Sequence, residues 1–190
     1  KHFPGHGDST KDSHFDLPFI KNDIETLRAR EFRPFNKAIK SRVEMIMMAH
    51  LVVDAIDTEL PSSLSKKTYD LLRNELRYNK LIVTDDLQMK AISDKYDLGV
   101  ASEMALKAGA DLLLYRDFET TKRCYEHVAK KEKIKEILHK DLQEKVDRVN
   151  QLKEQFLANY QPCDVPTVLE KLKQAKGKKL LEELDDYVQE

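Results

Sequence analysis

The sequence is poor in several features, and each shortage excludes a class of protein. Its two cysteines, Cys124 and Cys163, are isolated and show no CxxC spacing, so they give no sign of a disulfide scaffold. No apolar run approaches the roughly 20 residues of a membrane span, and the N-terminus does not resemble a signal peptide. Neither charge sign is in excess, because 33 basic residues balance 34 acidic ones. The charge therefore gives no electrostatic reason to expect a nucleic-acid partner.

What the sequence does contain is the composition of a folded domain. Its 190 residues are 41% hydrophobic and 35% charged, which is typical of a globular chain long enough to bury a core. The isolated cysteines are compatible with a reducing compartment, although a mature secreted chain would look the same. We expect a cytoplasmic protein, with secretion or a lipid anchor left open.

Short apolar runs alternate with helical patterns along the first two thirds of the chain. The runs "VEMIMMAHLVV" (43–53), "KLIVTDD" (80–86) and "ADLLLYR" (110–116) predict strands, the first of them buried on both faces. This alternation indicates βαβ units and a parallel sheet, and hence an α/β fold.

Helix signals lie between and after these runs. Asn22 is a candidate N-cap for a helix that runs to about Ser41, Ser65 is a second N-cap candidate, and Gly109 is a candidate C-cap. From about Thr120 the pattern is charged and helical. It predicts two or three helices, with a break at Pro162 and Pro166.

Polar side chains follow the predicted strands directly. His50 follows "EMIMMA" within the first run, Asp85 and Asp86 end the second, and Arg116 ends the third. In parallel α/β folds the functional site lies at the carboxyl ends of the strands, so these residues are expected to meet. A carboxylate at such a position must be paired or hydrogen-bonded, and one acid of the pair 85–86 can cap the next helix while the other faces the site.

The N-terminal segment "KHFPGHGDSTKDSH" is dense in ionisable and turn-forming residues, which is typical of an active-site loop. Asp12 and His14 are two residues apart, so an extended segment would put both on one face and let the carboxylate orient the imidazole for proton transfer. Two other interpretations stay open. His2, His6 and Asp8 could join Asp12 and His14 in a metal site, although the spacing fits no common zinc motif, or single histidines could simply be solvated.

Four stretches together resemble glycoside hydrolase family 3, and within it the bacterial β-N-acetylglucosaminidases. They are "KHFPGHGDSTKDSH", "MMAH", "LLRNELRYNKLIVTDDLQMKAI" and "ALKAGADLLL", and the resemblance covers about residues 1–116. It implies the C-terminal half of a (β/α)8 TIM-type barrel, from the end of strand five to strand eight. In this division residues 1–120 belong to the barrel and residues 121–190 form a helical C-terminal segment.

The resemblance also implies roles for particular residues. Asp85 corresponds to the family nucleophile, and Asp12 with His14 corresponds to an acid/base dyad in which a loop histidine replaces a carboxylic acid. Lys1 and His2 correspond to residues that hold sugar hydroxyls, and His50 is a further candidate substrate-binding residue at a strand end. No metal or other cofactor is implied.

The function implied is a retaining exo-β-N-acetylglucosaminidase that acts on cell-wall or chitin-type oligosaccharides. Two nearby carboxylate or imidazole groups on either side of the glycosidic bond suit such chemistry. Phosphorolysis of the same bond, and binding of carbohydrate without turnover, stay open as alternatives. A full barrel of this type needs about 250 residues, so we expect the chain to require an N-terminal half that it does not contain.

Overall fold

The computed structural model describes residues 1–7, 9, 17–133, 135, 137–162 and 164–172. The chain divides into two compact units, Lys1–Leu152 and Lys153–Glu190. In chain order the described elements are β1 (Phe19–Ile20), α1 (Ile24–Ala29), α2 (Phe32–Lys40), β2 (Met45–Met48), β3 (Val52–Val53), α3 (Lys66–Asp70) with a π-helical turn over Leu71–Glu75, β4 (Leu81–Asp86), α4 (Lys90–Ser93), α5 (Leu98–Ala108), β5 (Leu112–Leu114), α6 (Phe118–Lys133), α7 (His139–Leu157) and α8 (Val165–Leu172).

The predicted α/β fold with a parallel sheet is confirmed. Strands β2, β4 and β5 are parallel neighbours in that order. Phe3 extends this sheet beyond β2, because its amide donates to Met47 O at 2.7 Å and its carbonyl accepts from Ala49 N at 2.7 Å. Strands β1 and β3 form a separate parallel pair.

The core holds the sheet against the helices. The buried Phe3 ring lies 5.6 Å from the ring of Phe32 and 5.0 Å from that of Phe35, both on α2. Strand β2 is not buried on both faces as predicted. Ile46 and Met48 are buried, whereas Met45 is 40% exposed, because alternate side chains of a strand point to opposite faces and only one of these faces is packed here.

The predicted helix from Asn22 to Ser41 is wrong in two respects. It is two helices, α1 and α2, and its N-cap is Asp23, whose Oδ1 accepts from Thr26 N at 2.7 Å. Pro34 gives the physical reason for the break, since proline has no amide hydrogen and is tolerated only in a first helical turn. The caps at Ser65 and Gly109 are confirmed, and three helices follow residue 117 in the described chain.

Strand β4 contains one residue more than β5 over the stretch in which they pair. Val83 is opposite Leu112 and Asp86 is opposite Leu114, so two residues of β4 face one of β5. This is a β-bulge. The hydroxyl Oγ1 of Thr84 accepts from Leu114 N at 3.1 Å, and this side-chain bond takes the place of a regular ladder bond at the bulge.

A buried carboxylate ties together the end of the sheet at which β4 and β5 begin. Asp111, fully buried, accepts from Arg73 Nη2 at 2.6 Å, from Ile82 N at 2.8 Å and from Arg148 Nε at 2.8 Å. The π-helical turn, strand β4 and helix α7 each supply one of these donors. The network therefore links three elements within the first unit.

Candidate functional site

The polar residues that follow the strands meet at one edge of the sheet. Phe3 bridges to Met48, and Met48 pairs with Thr84, so residues within one position of these three lie close together at this edge. His2 precedes Phe3 and Asp85 follows Thr84. Their side chains approach to 3.4 Å between His2 Nε2 and Asp85 Oδ2.

Asp85 has one firm hydrogen bond and an accessible second oxygen. Its Oδ1 accepts from Asp86 N at 2.9 Å, whereas Oδ2 faces His2. The side chain is 16% exposed, so the carboxylate is partly buried but reachable. A carboxylate held in this way is oriented and still has an oxygen able to react.

The Asp86 side chain makes different contacts from that of Asp85. Its Oδ1 accepts from Gln88 N at 2.9 Å, and its Oδ2 lies 2.7 Å from Arg116 Nε. Arg116 also donates from Nη2 to Gln88 O at 2.6 Å. The charge of Asp86 is therefore paired, and its side chain shapes the turn after β4.

His50 lies beneath this turn, fully buried. Its Nε2 is 2.9 Å from Asp86 O, and its Nδ1 is 2.7 Å from Ser63 Oγ. A carbonyl oxygen can only accept, so Nε2 carries the proton and Nδ1 accepts from the serine hydroxyl. Burial lowers the pKa of His50, which favours this neutral form. Both ring nitrogens are thus engaged by protein groups.

The pKa of His2 is also lowered, for a mixture of reasons. Burial is the largest, and the nearby charge of Lys1 adds to it, whereas Asp85 acts in the opposite direction. The ring of His6 meets that of His2 edge to face, with centroids 5.7 Å apart. His2 is therefore a largely neutral imidazole that can donate to or accept from a hydroxyl group.

A cleft of about 610 Å³ opens beside His2 and His6. Lys1, His2, Gly5 and His6 line one side, and Glu31, Pro34, Phe35 and Ala38 of the α2 region line the other. One wall is rich in hydrogen-bonding groups and the other is mainly apolar. Such a combination suits a polar molecule that also presents an apolar surface.

The structure brings together His2, His50, Asp85, Asp86 and Arg116, and it leaves two predicted residues undescribed. Asp12 and His14 lie outside the described residues, as does Asp8. Within the part of the chain that the structure describes, there is no group of three or more side chains able to hold a metal ion. No helix in that part is long and apolar enough to cross a membrane.

Sequence reasoning missed three residues that support the site. Gln88 could have been found, since an acid two residues before it is typical of a turn in which the side chain accepts from the backbone. Ser63 and Glu31 carry no such signal. Their contacts with His50 and with the N-terminal turn depend on how distant segments pack.

The chain matches a family model over most of its length. Residues 1–152 match the family described as glycosyl hydrolase family 3 N-terminal domain. A curated relative named beta-hexosaminidase, from Glaesserella parasuis serovar 5 (strain SH0165), is 39% identical over 115 residues, which are 60% of this chain and 34% of that protein. The chain thus spans about a third of the length of the curated relatives it matches.

Solved structures give the same likeness. A glycoside hydrolase family 3 beta-N-acetylglucosaminidase from Paenibacillus sp. str. FPU-7 is 34% identical with a TM-score of 0.82, covering 87% of this chain and 32% of that one. The beta-N-acetylglucosaminidase from Thermotoga maritima is 27% identical with a TM-score of 0.73, covering 80% of this chain and 33% of that one.

Proposed function

Because the chain belongs to glycosyl hydrolase family 3, as a member of its N-terminal domain family, we propose that it acts as a retaining exo-β-N-acetylglucosaminidase. The substrates would be terminal β-linked N-acetylglucosamine residues of cell-wall or chitin-type oligosaccharides. Relatives named beta-hexosaminidase and beta-N-acetylglucosaminidase support the glycoside hydrolase activity. These names do not favour the alternative of a phosphorylase.

One observation carries the proposal: the two neighbouring acids at the end of β4 have different environments. Asp86 is paired with Arg116 and with the amide of Gln88. Asp85 keeps one oxygen directed at His2 in a partly open position. A nucleophile must present a free oxygen lone pair to the anomeric carbon, so Asp85 is the acid suited to form a glycosyl-enzyme.

The remaining roles follow from this assignment. His14, oriented by Asp12, would protonate the leaving oxygen and then activate water. Lys1 and His2 would hold sugar hydroxyls, supported by their position in the cleft next to Asp85. We give His50 a supporting role, because its nitrogens are bound to Ser63 and Asp86 and hold the turn after β4 in place.

The order Phe3, β2, β4, β5 supports a further proposal about the fold. These would be the last four strand positions of a (β/α)8 barrel, with residues 1–120 in the barrel and 121–190 as a helical segment. The half-exposed face of β2 is then a surface on which the rest of the barrel packs. We accordingly expect full activity only when that part is present.

A mechanism-based fluorosugar of N-acetylglucosamine tests the function and the nucleophile together. After incubation and proteolysis, mass spectrometry should find the label on Asp85, and the Asp86→Asn variant should be labelled equally well. A label on Asp86 would show that the other acid is the nucleophile. Binding of the sugar with neither labelling nor turnover, in protein completed with the remaining barrel segment, would favour a binding module.

A further inference from the structure

Glu31 is a buried acid with no part in the chemistry described above. Its side chain is 4% exposed, and Oε1 accepts from Arg30 Nε at 2.6 Å. Among the residues that the structure describes, its other oxygen, Oε2, is buried without a hydrogen-bond partner. Leaving a carboxylate oxygen in this state costs free energy, so stability of the fold does not explain the choice of glutamate here.

Helix capping does not explain it either. Glu31 is the N-cap residue of α2, but its side chain makes no capping hydrogen bond. The side chain instead lines the cleft that also contains Lys1, His2 and His6.

The turn Gly5–Gly7 rests directly on this side chain. A methyl group built on Gly5 would lie 3.0 Å from Cβ and Cγ of Glu31, and one built on Gly7 would lie 2.6 Å from Oε1. Both glycines also have positive φ, at +116° and +41°. Only glycine fits this close approach. The Glu31 side chain therefore determines how closely the backbone of the turn approaches α2.

The position of the Gly5–Gly7 turn also affects His2, a residue of the candidate site. His6 lies between Gly5 and Gly7, and its ring contacts the ring of His2 edge to face. His2 is the residue that approaches Asp85 to 3.4 Å. A continuous series of contacts therefore runs from Glu31 through the turn and His6 to His2.

We propose that Glu31 is a positioning residue: its side chain supports the Gly5–Gly7 turn and thereby holds the His2 imidazole against Asp85. The consequence for activity rests on the proposed function, because it requires that His2 hold a sugar hydroxyl. The structural part, that Glu31 sets the environment of His2, does not depend on it.

The test measures the titration of His2 by NMR in the 190-residue chain, with the resonances assigned by a His2→Asn variant. Glu31→Ala removes the support. The His2 ring should then become more exposed and its pKa should rise toward the ordinary value, because burial is the main cause of its depression. The titratable groups that act on His2 are Asp85, Lys1, His6, His50 and the N-terminal amine. Glu31→Gln keeps the shape of the side chain and should restore most of the wild-type titration.

A core truncation is the matched control. Leu27 is fully buried on α1 and is neither among the nearest neighbours of Gly5 and Gly7 nor part of the cleft lining, so Leu27→Ala should lower the melting temperature at least as much as Glu31→Ala and leave the His2 titration unchanged. Should Glu31→Ala not fold, Gly7→Ala serves instead, since its methyl group meets Oε1 and should disturb His2 in the same way.

Activity gives the second readout. In protein that turns over N-acetylglucosaminides, Glu31→Ala should lower kcat/KM roughly tenfold, the scale of one lost hydrogen bond to a positioned group, and Glu31→Gln should lower it less. An unchanged His2 titration in Glu31→Ala, or an equal change in Leu27→Ala, overturns the inference. Absence of turnover in protein completed with the remaining barrel segment, together with the expected NMR changes, would instead refute the proposed function and leave the positioning role standing.

Discussion

Asp85 and Asp111 are partly or wholly buried carboxylates at opposite ends of the same pair of strands. Asp111 accepts three hydrogen bonds, two of them from arginines, and is fully enclosed. Asp85 accepts one amide at close range and has His2 at 3.4 Å as its other neighbour. Both oxygens of Asp111 accept hydrogen bonds, whereas within the described part of the chain only one oxygen of Asp85 does.

This difference separates two uses of buried charge. A buried carboxylate whose two oxygens are both held by donors from other elements links those elements and is not available to attack a substrate. A carboxylate with an oxygen in reserve contributes less to stability and can take part in a reaction. We therefore expect mutation of Asp85 to lower activity with little change in stability, and mutation of Asp111 to lower stability.

The largest effect is expected for Asp85→Asn. In protein that turns over substrate, kcat should fall by a factor on the order of 10⁴ or more, because the amide cannot form the glycosyl-enzyme. The free energy of unfolding should be retained, since Oδ1 of asparagine can still accept from Asp86 N. Comparable loss of rate in Asp86→Asn, at equal stability, would contradict the distinction between the two acids.

The dyad should give the next largest effect. His14→Ala is expected to slow substrates with poor leaving groups by about 10²–10⁴-fold and activated aryl glycosides far less, because a good leaving group needs little protonation. Asp12→Ala should show the same dependence on the leaving group. The double variant should be little slower than either single one, since the two residues act as a unit. Equal losses on both kinds of substrate would mean that the proton donor lies elsewhere.

Asp111→Ala tests the opposite end. Removing the buried carboxylate takes a shared partner from the half-buried Arg73 and Arg148 and an acceptor from Ile82 N, so the free energy of unfolding should fall by about 3 kcal/mol. Urea denaturation gives this value. Glu25→Ala, a truncation of an exposed acid on α1, serves as the control and should change stability little. If Asp111→Ala lowered the free energy of unfolding no more than Glu25→Ala does, the network would not contribute to stability.

A smaller effect on activity is expected for Lys1→Ala. If Lys1 holds a sugar hydroxyl, kcat/KM should fall roughly tenfold as one hydrogen bond to a charged group is lost. Lys21→Ala is a suitable control, because Lys21 is an exposed lysine of the same segment that does not line the cleft. Identical kinetics for the two variants would leave Lys1 without a role in binding.

The smallest expected effect is a gain. Burial lowers the pKa of Lys145, Asp111 opposes this shift, and Arg148 and Arg73 add to it. Since the unfolded chain then binds the proton more tightly, the cost of the charged lysine falls as the pH rises from the lowered folded-state pKa and is gone above the ordinary value of 10.5. Lys145→Met should therefore raise stability at pH 7 by up to about 1 kcal/mol, and the gain should shrink near that higher pH. A loss of stability at pH 7 would assign the ammonium group a net favourable pairing with Asp111.

The strands, and the place of the two acids at the end of β4, were predictable because their signals are local. A β-branched run that ends in two acids, as at residues 80–86, predicts a strand and the end at which its polar residues lie from neighbouring residues alone. The caps at Ser65 and Gly109 are local in the same sense. The break between α1 and α2 was also visible in principle, because Pro34 cannot continue a helix that begins at Asp23.

What could not be predicted depends on contacts between distant segments. The hydrogen bond between His50 and Ser63 needs the chain to turn back on itself, and the support that Glu31 gives to Gly5 and Gly7 crosses more than twenty residues. The burial of His50 has the same origin. Hydrophobic pattern specifies which face is packed, but not which polar groups find each other beneath it.

The bulge in β4 has a bearing on how this site tolerates insertions and deletions. Side chains of a strand alternate with a period of two, so the surplus residue sets the phase in which Asp85 and Asp86 leave the strand. Losing a single residue between Val83 and Asp86 would reverse that phase and present the arginine-paired acid where the free one now stands. During evolution, a deletion of one codon here would therefore alter which acid faces the site, an effect larger than that of shortening the strand by one residue.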